Sequence, residues 1–419
     1  MVVLRRILVS VGLVIAVLAV GLAVEASNRP AGVPDEPMAS AVNRPVETAT
    51  VLAAVETKKS EPLARELPPR PPAPRLKIKP PAQVTMAFTG DIIPHGRVVR
   101  QAQADSGESG GYNFVPMFTQ VRDVIASADL AICHLETPLS ADNTRISGYP
   151  QFNAPRELAN ALAEVGYDGC SVASNHSYDR RETGVDQTLD VLDSVGVGTA
   201  GMARSATEAN SVRLYKVGAV SVAHLSFTYG LNGFVLPEGK EYLVNVIDAD
   251  VIEARAVAAR AAGADIVVLS MHWGNEYASN PSPFQTELAD RLLVHPDIDL
   301  IIGHHAHVVQ PVEERDGEFV VFGLGNFLSN QSGECCVRAS QDGVIVQVTF
   351  TEQRTGGFEA SSGCIIPTWV DRSDYVILVD GHPDRPLPAE SATRTRDVIG
   401  SSEVFGTTFT PQCAPTVSK

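Results

Sequence analysis

Positive charge is scarce in this sequence. Its 33 Lys and Arg residues are outnumbered by 49 Asp and Glu residues, so the formal net charge at pH 7 is −16. Nucleic acids and anionic membrane surfaces are bound through a surplus of Lys and Arg, so this balance argues against both kinds of partner. A polyanionic substrate is compatible with the composition, but something other than net charge has to hold it. A metal ion is the usual solution.

Cysteine is also sparse. Six cysteines occur in 419 residues, and none has the spacing of a thiolate metal site, so a structural zinc ribbon is not expected. Cys133 and Cys170 lie in apolar stretches, where small core residues are expected. One of the adjacent pair Cys335–Cys336 could bond with Cys364 or Cys413, although the sequence does not fix the connectivity.

One apolar run near the start is long enough to cross a membrane. Arg5 and Arg6 precede the uncharged run Ile7–Val24, and a helix of that length reaches about 27 Å, close to the thickness of the hydrocarbon core. We expect residues 1–26 to be an uncleaved anchor, with a cleaved signal peptide as the alternative and a twin-arginine signal as a third. Each reading places the rest of the chain outside the cytoplasm, tethered to the cell membrane or secreted.

Proline marks a spacer after this segment. Residues 27–83 hold 12 of the 28 prolines and lack the apolar periodicity of a core, so an extended linker is predicted there. A folded domain is predicted over residues 84–370. From about residue 371 the chain is again polar and proline-rich, which favours a polar C-terminal tail over residues 371–419.

Within the folded domain, apolar strands alternate with amphipathic helices, which predicts an α/β architecture with helices packed on a sheet. Strands are predicted at residues 84–89, 129–135, 169–174, 266–271 and 298–302, with a pair at 212–227 that turns near Gly218, and helices at 155–165, 184–195, 249–262 and 283–294. Polar clusters follow five of these strands. Because ligands bind beyond the carboxyl ends of strands in such sheets, the clusters are expected to converge in space.

The five clusters combine carboxylates, an amide and imidazoles. They are Gly90-Asp91, Leu135-Glu136, Ser174-Asn175-His176, Met271-His272-Trp273-Gly274 and Gly303-His304-His305-Ala306-His307. Taken singly, an Asp or Glu after a strand is as easily a turn former, but together these donors suit Mn²⁺, Zn²⁺ or Fe²⁺. His305 and His307 would face the same way in an extended segment, and Glu276 is placed to orient His272.

Read with their neighbours, the same clusters resemble the capsule-synthesis protein CapA family. The motifs are Phe88-Thr89-Gly90-Asp91, His134-Leu135-Glu136-Thr137-Pro138, Ser174-Asn175-His176-Ser177-Tyr178-Asp179, His272-Trp273-Gly274-Asn275-Glu276-Tyr277, Gly303-His304-His305-Ala306-His307 and Phe322-Gly323-Leu324-Gly325-Asn326-Phe327, in the family's order over residues 84–350. The resemblance implies a four-layer α/β/β/α sandwich like that of metal-dependent phosphatases. It also implies a role in poly-γ-glutamate synthesis or export at the cell surface.

The resemblance also implies a role for each residue. One or two divalent ions (Mn, Zn or Fe) would be held by Asp91, Glu136, Asn175, His272, His305 and His307. His176 would donate a proton to the leaving group, while His304 and Glu276 would support the ligands as their neighbours. The metal would polarise a phosphoryl or carbonyl oxygen.

Two positions depart from the expected patterns. Phosphoesterases carry Asp-x-His at the first cluster, whereas this chain has Asp91-Ile92-Ile93 with His95 displaced, so a second ion could lack one ligand. His134 stands where the family commonly has Asn. It could be an extra ligand or a polar neighbour of the site, and we favour the neighbour.

The sequence therefore predicts a membrane-tethered, extracytoplasmic CapA-like protein for poly-γ-glutamate or a related capsule polymer, with a divalent-metal site whose expected reaction is hydrolysis. Its expected partners are an anionic polymer such as poly-γ-glutamate and other membrane subunits of polymer synthesis, and not nucleic acid. A general extracytoplasmic metal-dependent phosphoesterase and a non-catalytic polymer-binding subunit are the alternatives. The sequence leaves open whether the site is catalytic.

Overall fold

Successive residues of a strand point to opposite faces, so the apolar runs of this chain can pack on both sides of a sheet. The computed structural model describes residues 81–400 and 409–410. These residues form two large sheets and one small two-stranded sheet, together with eight α-helices. The mixed α/β class expected from the sequence is confirmed.

The first sheet has nine strands. They are β1 (Gln83–Ile92), β2 (Leu130–Leu135), β5 (Gly169–Ser171), β6 (Gly198–Ala200), β13 (Asn326–Leu328), β14 (Asp342–Glu352), β15 (Phe358–Val370), β16 (Ile377–Val379) and β17 (Phe409–Thr410). The order across the sheet is β16-β15-β14-β1-β2-β5-β6, with β13 beside β1 and β17 beside β15. β1, β2, β5 and β6 run parallel, so their carboxyl ends share one edge.

The second sheet has six strands. They are β7 (Leu214–Val217), β8 (Val220–Thr228), β9 (Ile266–His272), β10 (Leu300–His304), β11 (Val312–Arg315) and β12 (Glu318–Val321), in the order β11-β12-β10-β9-β8-β7. β8, β9, β10 and β12 are parallel. The turn between β7 and β8 contains Gly218 at φ 58°, as the sequence predicts. β3 (Leu139–Ser140) and β4 (Ala154–Pro155) form the small sheet.

Eight α-helices lie along the described part of the chain, and six of them come between parallel strands of one sheet. They are α1 (Gly96–Asp105), α2 (Arg122–Ala126), α3 (Glu157–Val165), α4 (Arg181–Ser194), α5 (Ala206–Ala209), α6 (Ala249–Ala261), α7 (Pro283–Leu293) and α8 (Ala389–Gly400). α7 begins with a capping box: the Ser282 hydroxyl accepts from the Gln285 amide, and the Gln285 side chain accepts from the Ser282 amide. Such a cap satisfies backbone groups that the first helical turn leaves free.

Three apolar cores separate the layers of the fold. β9 shows the alternation that produces them, because Ile266 and Val268 pack in the core between the two sheets, whereas Val267 and Leu269 pack against α6 and α7. A third core lies between the first sheet and α1 to α4. The layers therefore follow the order helices, first sheet, second sheet, helices.

Residues 371–400 differ from the expected polar tail. They add β16 to the first sheet and form α8, whose Ile399 lies in the core between the sheets. α8 is also held by Asp342, which accepts from Ser391 at 2.7 Å and from Arg394 at 2.8 and 2.9 Å. The tail prediction is wrong for this part, because Ile377, Val379 and Ile399 are buried in the apolar cores while polar contacts fix α8.

Two further predictions concern the N-terminal part of the chain. The expected anchor at residues 1–26 and residues 27–80 of the expected linker lie outside the described residues. Within residues 81–400 and 409–410, no helix has the length and apolar character required to cross a bilayer.

The cysteines also differ from expectation. Cys133 and Cys170 are buried register partners on β2 and β5 and form a disulfide, with 4.4 Å between their Cα atoms. Cys335 and Cys336 have free thiols, so neither forms the disulfide that the sequence left open. Cys364 is disulfide-bonded, and Cys413 lies outside the described residues.

Candidate metal centre

Strands of both sheets end at the same edge of the fold, and the polar clusters lie there. Asp91 is near the end of β1, Glu136 directly follows β2, His272 ends β9 and His304 ends β10. The clusters that the sequence analysis expected to converge are therefore neighbours in space. The expected ligands and their neighbours are buried: Asp91, Glu136, Asn175, His176, His272, His304, His305 and His307.

A close backbone contact positions Asp91. A Cβ atom on Gly90 would lie 2.1 Å from the carbonyl oxygen of Gly325, so the site requires glycine. The same carbonyl oxygen accepts a hydrogen bond from the Asp91 amide at 2.9 Å. The Gly325 segment, which belongs to the last sequence motif, thus positions the first carboxylate of the centre.

The loop after β10 places two imidazoles by an unusual backbone. His305 and His307 have φ angles of 85° and 56°, a left-handed conformation that costs about 1–3 kcal/mol per non-glycine residue. The expectation that His305 and His307 lie in an extended segment is therefore wrong. Both imidazoles still face the centre, with ring centroids 5.9 Å apart, and the His305 amide donates to Asp91 Oδ2 at 3.2 Å.

A first group of donors consists of Asp91, His134 and His304. One ligand atom from each lies within 4.8 Å of the others. His304 Nδ1 is 3.4 Å from Asp91 Oδ1, and the His134 and His304 rings stack with centroids 4.0 Å apart. The sequence analysis expected both histidines to be neighbours of the site, whereas the structure places both among the candidate donors.

A second group consists of Glu136, His305 and His307, whose ligand atoms also lie within 4.8 Å of one another. His307 Nε2 is 3.8 Å from Glu136 Oε1, and His307 Nδ1 is 3.0 Å from Asp91 Oδ2. His307 thus bridges the carboxylates of the two groups. Two donor groups side by side allow for two ions, although the chain lacks the Asp-x-His pattern.

His272 lies beside these groups without belonging to either, and Asn175 contacts it. His272 Nε2 is 3.1 Å from Asn175 Oδ1 and 3.9 Å from Glu136 Oε1. His272 Nδ1 is 2.9 Å from His134 Nε2, and His134 Nδ1 is 2.7 Å from the Ser171 hydroxyl. These contacts orient His272 and join both sheets through a chain of polar side chains.

His176 sits at the rim of the centre and has a carboxylate partner. Its Nδ1 is 2.8 Å from Asp179 Oδ2, which also accepts from the Phe152 amide at 2.7 Å. The Phe152 ring meets the His176 ring edge-on with centroids 4.7 Å apart. Asp179 is part of a sequence motif, but the sequence analysis gave it no role. Its spacing of three residues from His176 was the available signal.

Glu276 and Tyr229 complete the surroundings. Glu276 is exposed, and the hydrogen bonds that orient His272 come from His134 and Asn175 instead. Tyr229, which the sequence analysis missed, is 42% exposed, and its ring centroid lies 4.6 Å from that of His305. An aromatic side chain therefore borders the centre on its solvent side.

Burial and mutual contacts set the charges of the centre. Burial raises the pKa of Glu136 well above its ordinary value and lowers the pKa of His305 to about 3. Burial also opposes ionisation of Asp91, but its contacts with His304 and His307 outweigh burial and lower its pKa. For His307, burial lowers the pKa, yet the carboxylates of Glu136 and Asp91 raise it to about 9. The carboxylates of Asp91 and Glu136 thus favour a positive charge in the metal centre.

The residues present fit a divalent cation. Within the described part of the chain, both Glu136 oxygens and the Nδ1 atom of His305 are buried without hydrogen-bond partners. Buried polar atoms are nearly always paired, so such a cluster calls for a further partner. Burial also lowers the pKa of His134 and His272, and an imidazole binds metal in its neutral form.

Oxygen and imidazole donors at the strand ends of a mixed α/β fold define a candidate divalent-metal protein. The chain belongs to the family of bacterial capsule synthesis proteins described as PGA_cap, which matches residues 85–331. This match contains every candidate donor from Asp91 to His307 and confirms the resemblance seen in the sequence.

Two relatives show how similar the chain is to named capsule proteins. The chain is 27% identical over 300 residues to the PGA biosynthesis protein CapA of Bacillus subtilis, which covers 69% of this chain and 73% of the relative. It is 25% identical over 280 residues to the capsule biosynthesis protein CapA of Bacillus anthracis, which covers 65% of this chain and 65% of the relative. The chain therefore spans slightly less than two thirds of the second relative.

Solved structures with some likeness to the chain include two enzymes. A 5'-nucleotidase precursor from Thermus thermophilus has 14% identity and a TM-score of 0.40, covering 68% of this chain and 54% of the other. The calcineurin-like phosphoesterase YfkN from Bacillus subtilis has 15% identity and a TM-score of 0.35, covering 76% and 96%.

Proposed function

We propose that the chain is an accessory protein of capsule polymer synthesis or export, acting on poly-γ-glutamate or a related anionic polymer through a divalent-metal hydrolytic site. Family membership supports the role, since the Bacillus subtilis relative is named a PGA biosynthesis protein. The observation that carries the metal site is Glu136, whose two buried oxygens lack hydrogen-bond partners among the described residues and which lies beside His305 and His307.

The order of layers supports the finer assignment of the fold to a four-layer, metallophosphatase-like sandwich. Helices cover the outer face of each sheet, and the two sheets share the central core. In this arrangement Asp91, His134 and His304 would hold one ion, while Glu136, His305 and His307 would hold a second. A bound divalent cation would supply Lewis-acid polarisation of a phosphoryl or carbonyl oxygen.

His176 has the geometry of a proton donor. Asp179 accepts from His176 Nδ1, so Nε2 of the protonated ring carries the proton that can pass to a leaving group. Asp179 also fixes the ring orientation, because its own position is held by the Phe152 amide. The His176–Asp179 pair supports a hydrolytic site rather than a site that only binds polymer. It supports the alternative of a general extracytoplasmic phosphoesterase equally well.

We also propose that the protein acts outside the cytoplasm, tethered by residues 1–26 or, as the alternative, secreted. The uncharged run Ile7–Val24 supports this location. The disulfide between Cys133 and Cys170 fits an oxidising compartment. Membrane subunits of polymer synthesis are the partners that such a location would make available.

The test compares two substrates on the full chain, purified in detergent with Mn²⁺ present. Poly-γ-glutamate and 4-nitrophenyl phosphate are each incubated with the unmodified protein, with His176→Ala and with the control His382→Ala, a histidine outside the centre. We expect shortening of γ-linked chains by the unmodified protein and the control, with a loss of about a hundredfold or more in His176→Ala.

The remaining outcomes separate the alternatives. Turnover of 4-nitrophenyl phosphate without shortening of the polymer, lost in His176→Ala, would indicate the general phosphoesterase. Saturable binding of poly-γ-glutamate without turnover of either substrate, in protein that retains no metal, would indicate a non-catalytic binding subunit.

A further inference from the structure

A second cavity lies apart from the metal centre. It has a volume of about 490 Å³ and sits where β6, at the edge of the first sheet, faces β8 of the second sheet, with α5 and α6 beside it. None of the candidate metal donors lines it. Its volume is within the range of small-molecule sites, about 300–1,000 Å³.

Two buried side chains of β8 line this cavity and have unsatisfied polar atoms. His224 Nδ1 and the Ser226 hydroxyl are buried and lack hydrogen-bond partners among the described residues. His224 Nε2 is 2.9 Å from the Ser270 hydroxyl, and burial lowers the pKa of His224 to about 3. The Ser270 hydroxyl can donate to Nε2, and in that tautomer the neutral imidazole donates from Nδ1. Both free groups can therefore donate a hydrogen bond.

Two arginines and one glutamate are the charged residues that line the cavity, and one of the arginines, Arg213, lies 3.8 Å from Asp193. Arg255 of α6 donates to the Ala209 carbonyl oxygen, and no carboxylate lies within ion-pair distance of it in the described part of the chain. The carboxylate of Glu208, which also lines the cavity, is already engaged by the Arg204 amide at 2.6 Å and the Arg204 guanidinium at 2.6 Å. An anion entering the cavity would thus meet an uncompensated guanidinium.

Apolar side chains form the rest of the wall. Met202, Leu225 and Phe227 line the cavity together with the polar groups. A ligand that matches this wall has an acceptor-rich anionic head and a short apolar body. A guanidinium fork is complementary to a carboxylate, which it can bind through two hydrogen bonds.

We infer that this cavity is a binding site for a small organic carboxylate, held by Arg255, His224 and Ser226 and separate from the metal centre. Its position between the edges of the two sheets gives the chain a second ligand site. The inference does not depend on the proposed capsule function, because it uses none of the residues assigned to the metal centre.

Glutarate is the probe, because it is a short carboxylate, and glutaramide is its uncharged control. The full chain is treated with a chelator, so that a carboxylate cannot bind through metal, and titrated by isothermal calorimetry. We expect saturable binding of glutarate to one site and no binding of glutaramide. Arg255→Gln should weaken glutarate binding about ten- to hundredfold, the loss expected for a charge-assisted hydrogen bond, whereas Arg354→Gln, an exposed arginine elsewhere, should not change it.

Two further variants keep the test decisive. Ser226→Ala removes a single hydroxyl and should weaken binding even if Arg255→Gln does not fold, which circular dichroism would show. Asp91→Asn alters the metal centre and should bind glutarate as the unmodified chain does. No saturable binding, equal binding of glutaramide, displacement of glutarate by inorganic phosphate, or unchanged binding in Ser226→Ala would overturn the inference.

Discussion

The two sheets bring different chemistry to the metal centre. The first sheet supplies both carboxylates and the amide, whereas the second supplies imidazoles. The members of the first set are Asp91, Glu136 and Asn175, joined by His134, and those of the second set are His272, His304, His305 and His307. Each donor group contains side chains from both sheets, so the centre exists only when the sheets are packed together.

This difference between the donors of the two sheets explains how the site balances charge. The carboxylates of the first sheet favour a positive charge, while burial keeps His272 and His305 of the second sheet neutral. Removing a carboxylate should therefore remove both a ligand and the charge that attracts a cation. Removing an imidazole should remove a ligand alone.

The largest expected effect comes from the first sheet. Asp91→Asn keeps the shape of the side chain but removes its charge, and should weaken Mn²⁺ or Zn²⁺ binding by more than about a hundredfold, since partners of metal ligands alone account for 10–100-fold. The measurement is metal affinity by competition with a chelator. The matched control is Asp168→Asn, a first-sheet carboxylate before β5 that accepts from the Ala131 amide at 2.8 Å. Unchanged metal affinity in Asp91→Asn would contradict the inference that the first sheet supplies the charge that attracts the cation.

A smaller effect is expected from the second sheet. His305→Ala removes a neutral donor whose place water can take, so metal affinity should fall by about 10–100-fold. The control His224→Gln changes a buried histidine of the same sheet that lies outside the centre, and its metal affinity should match that of the unmodified chain. If His305→Ala lost more affinity than Asp91→Asn, the charge argument would be wrong.

Acid should destabilise the metal-free protein through neutral imidazoles inside and outside the centre. Burial lowers the pKa of both His305 and His224 from 6.5 to about 3, so between these values the unfolded chain binds more protons than the folded chain. Stability then falls as pH drops below 6.5, by about tenfold per pH unit in the folding equilibrium for each histidine. Melting temperatures between pH 7 and 4 measure this slope. His224→Gln should reduce it, and an identical slope in that variant would show that His224 does not contribute.

Local patterns made most of the fold and the convergence of the site predictable. The apolar run of β9 was predicted at residues 266–271 and spans Ile266–His272, because a strand buried on both faces leaves a continuous hydrophobic signal. The helix predicted at 283–294 spans Pro283–Leu293, because Ser282 and Gln285 carry a start signal. The clusters converge because parallel strands end at one edge.

Contacts between distant segments were not predictable in this way. His134 stacks on His304 across the two sheets, and nothing in the sequence near either residue encodes that register. The helix α8 was missed because half of its buried residues, Ser391 and Thr395, are polar, and because Arg394 holds it to Asp342. The left-handed backbone of His305 depends on Asp91, more than 200 positions away in sequence.

The smallest expected effect tests whether the polar chain between the sheets matters for the metal. Ser171 of the first sheet bonds His134, which in turn bonds His272 of the second. Ser171→Ala should loosen both rings without removing a ligand, and should lower metal affinity by about tenfold. The second sheet contains a matched pair, because Ser270 bonds His224 at 2.9 Å outside the centre. Ser270→Ala should leave metal affinity unchanged, since neither Ser270 nor His224 belongs to a donor group of the centre. Equal losses in the two variants would mean that both serines act through general stability, and the link between the sheets would then have no special role in holding a cation.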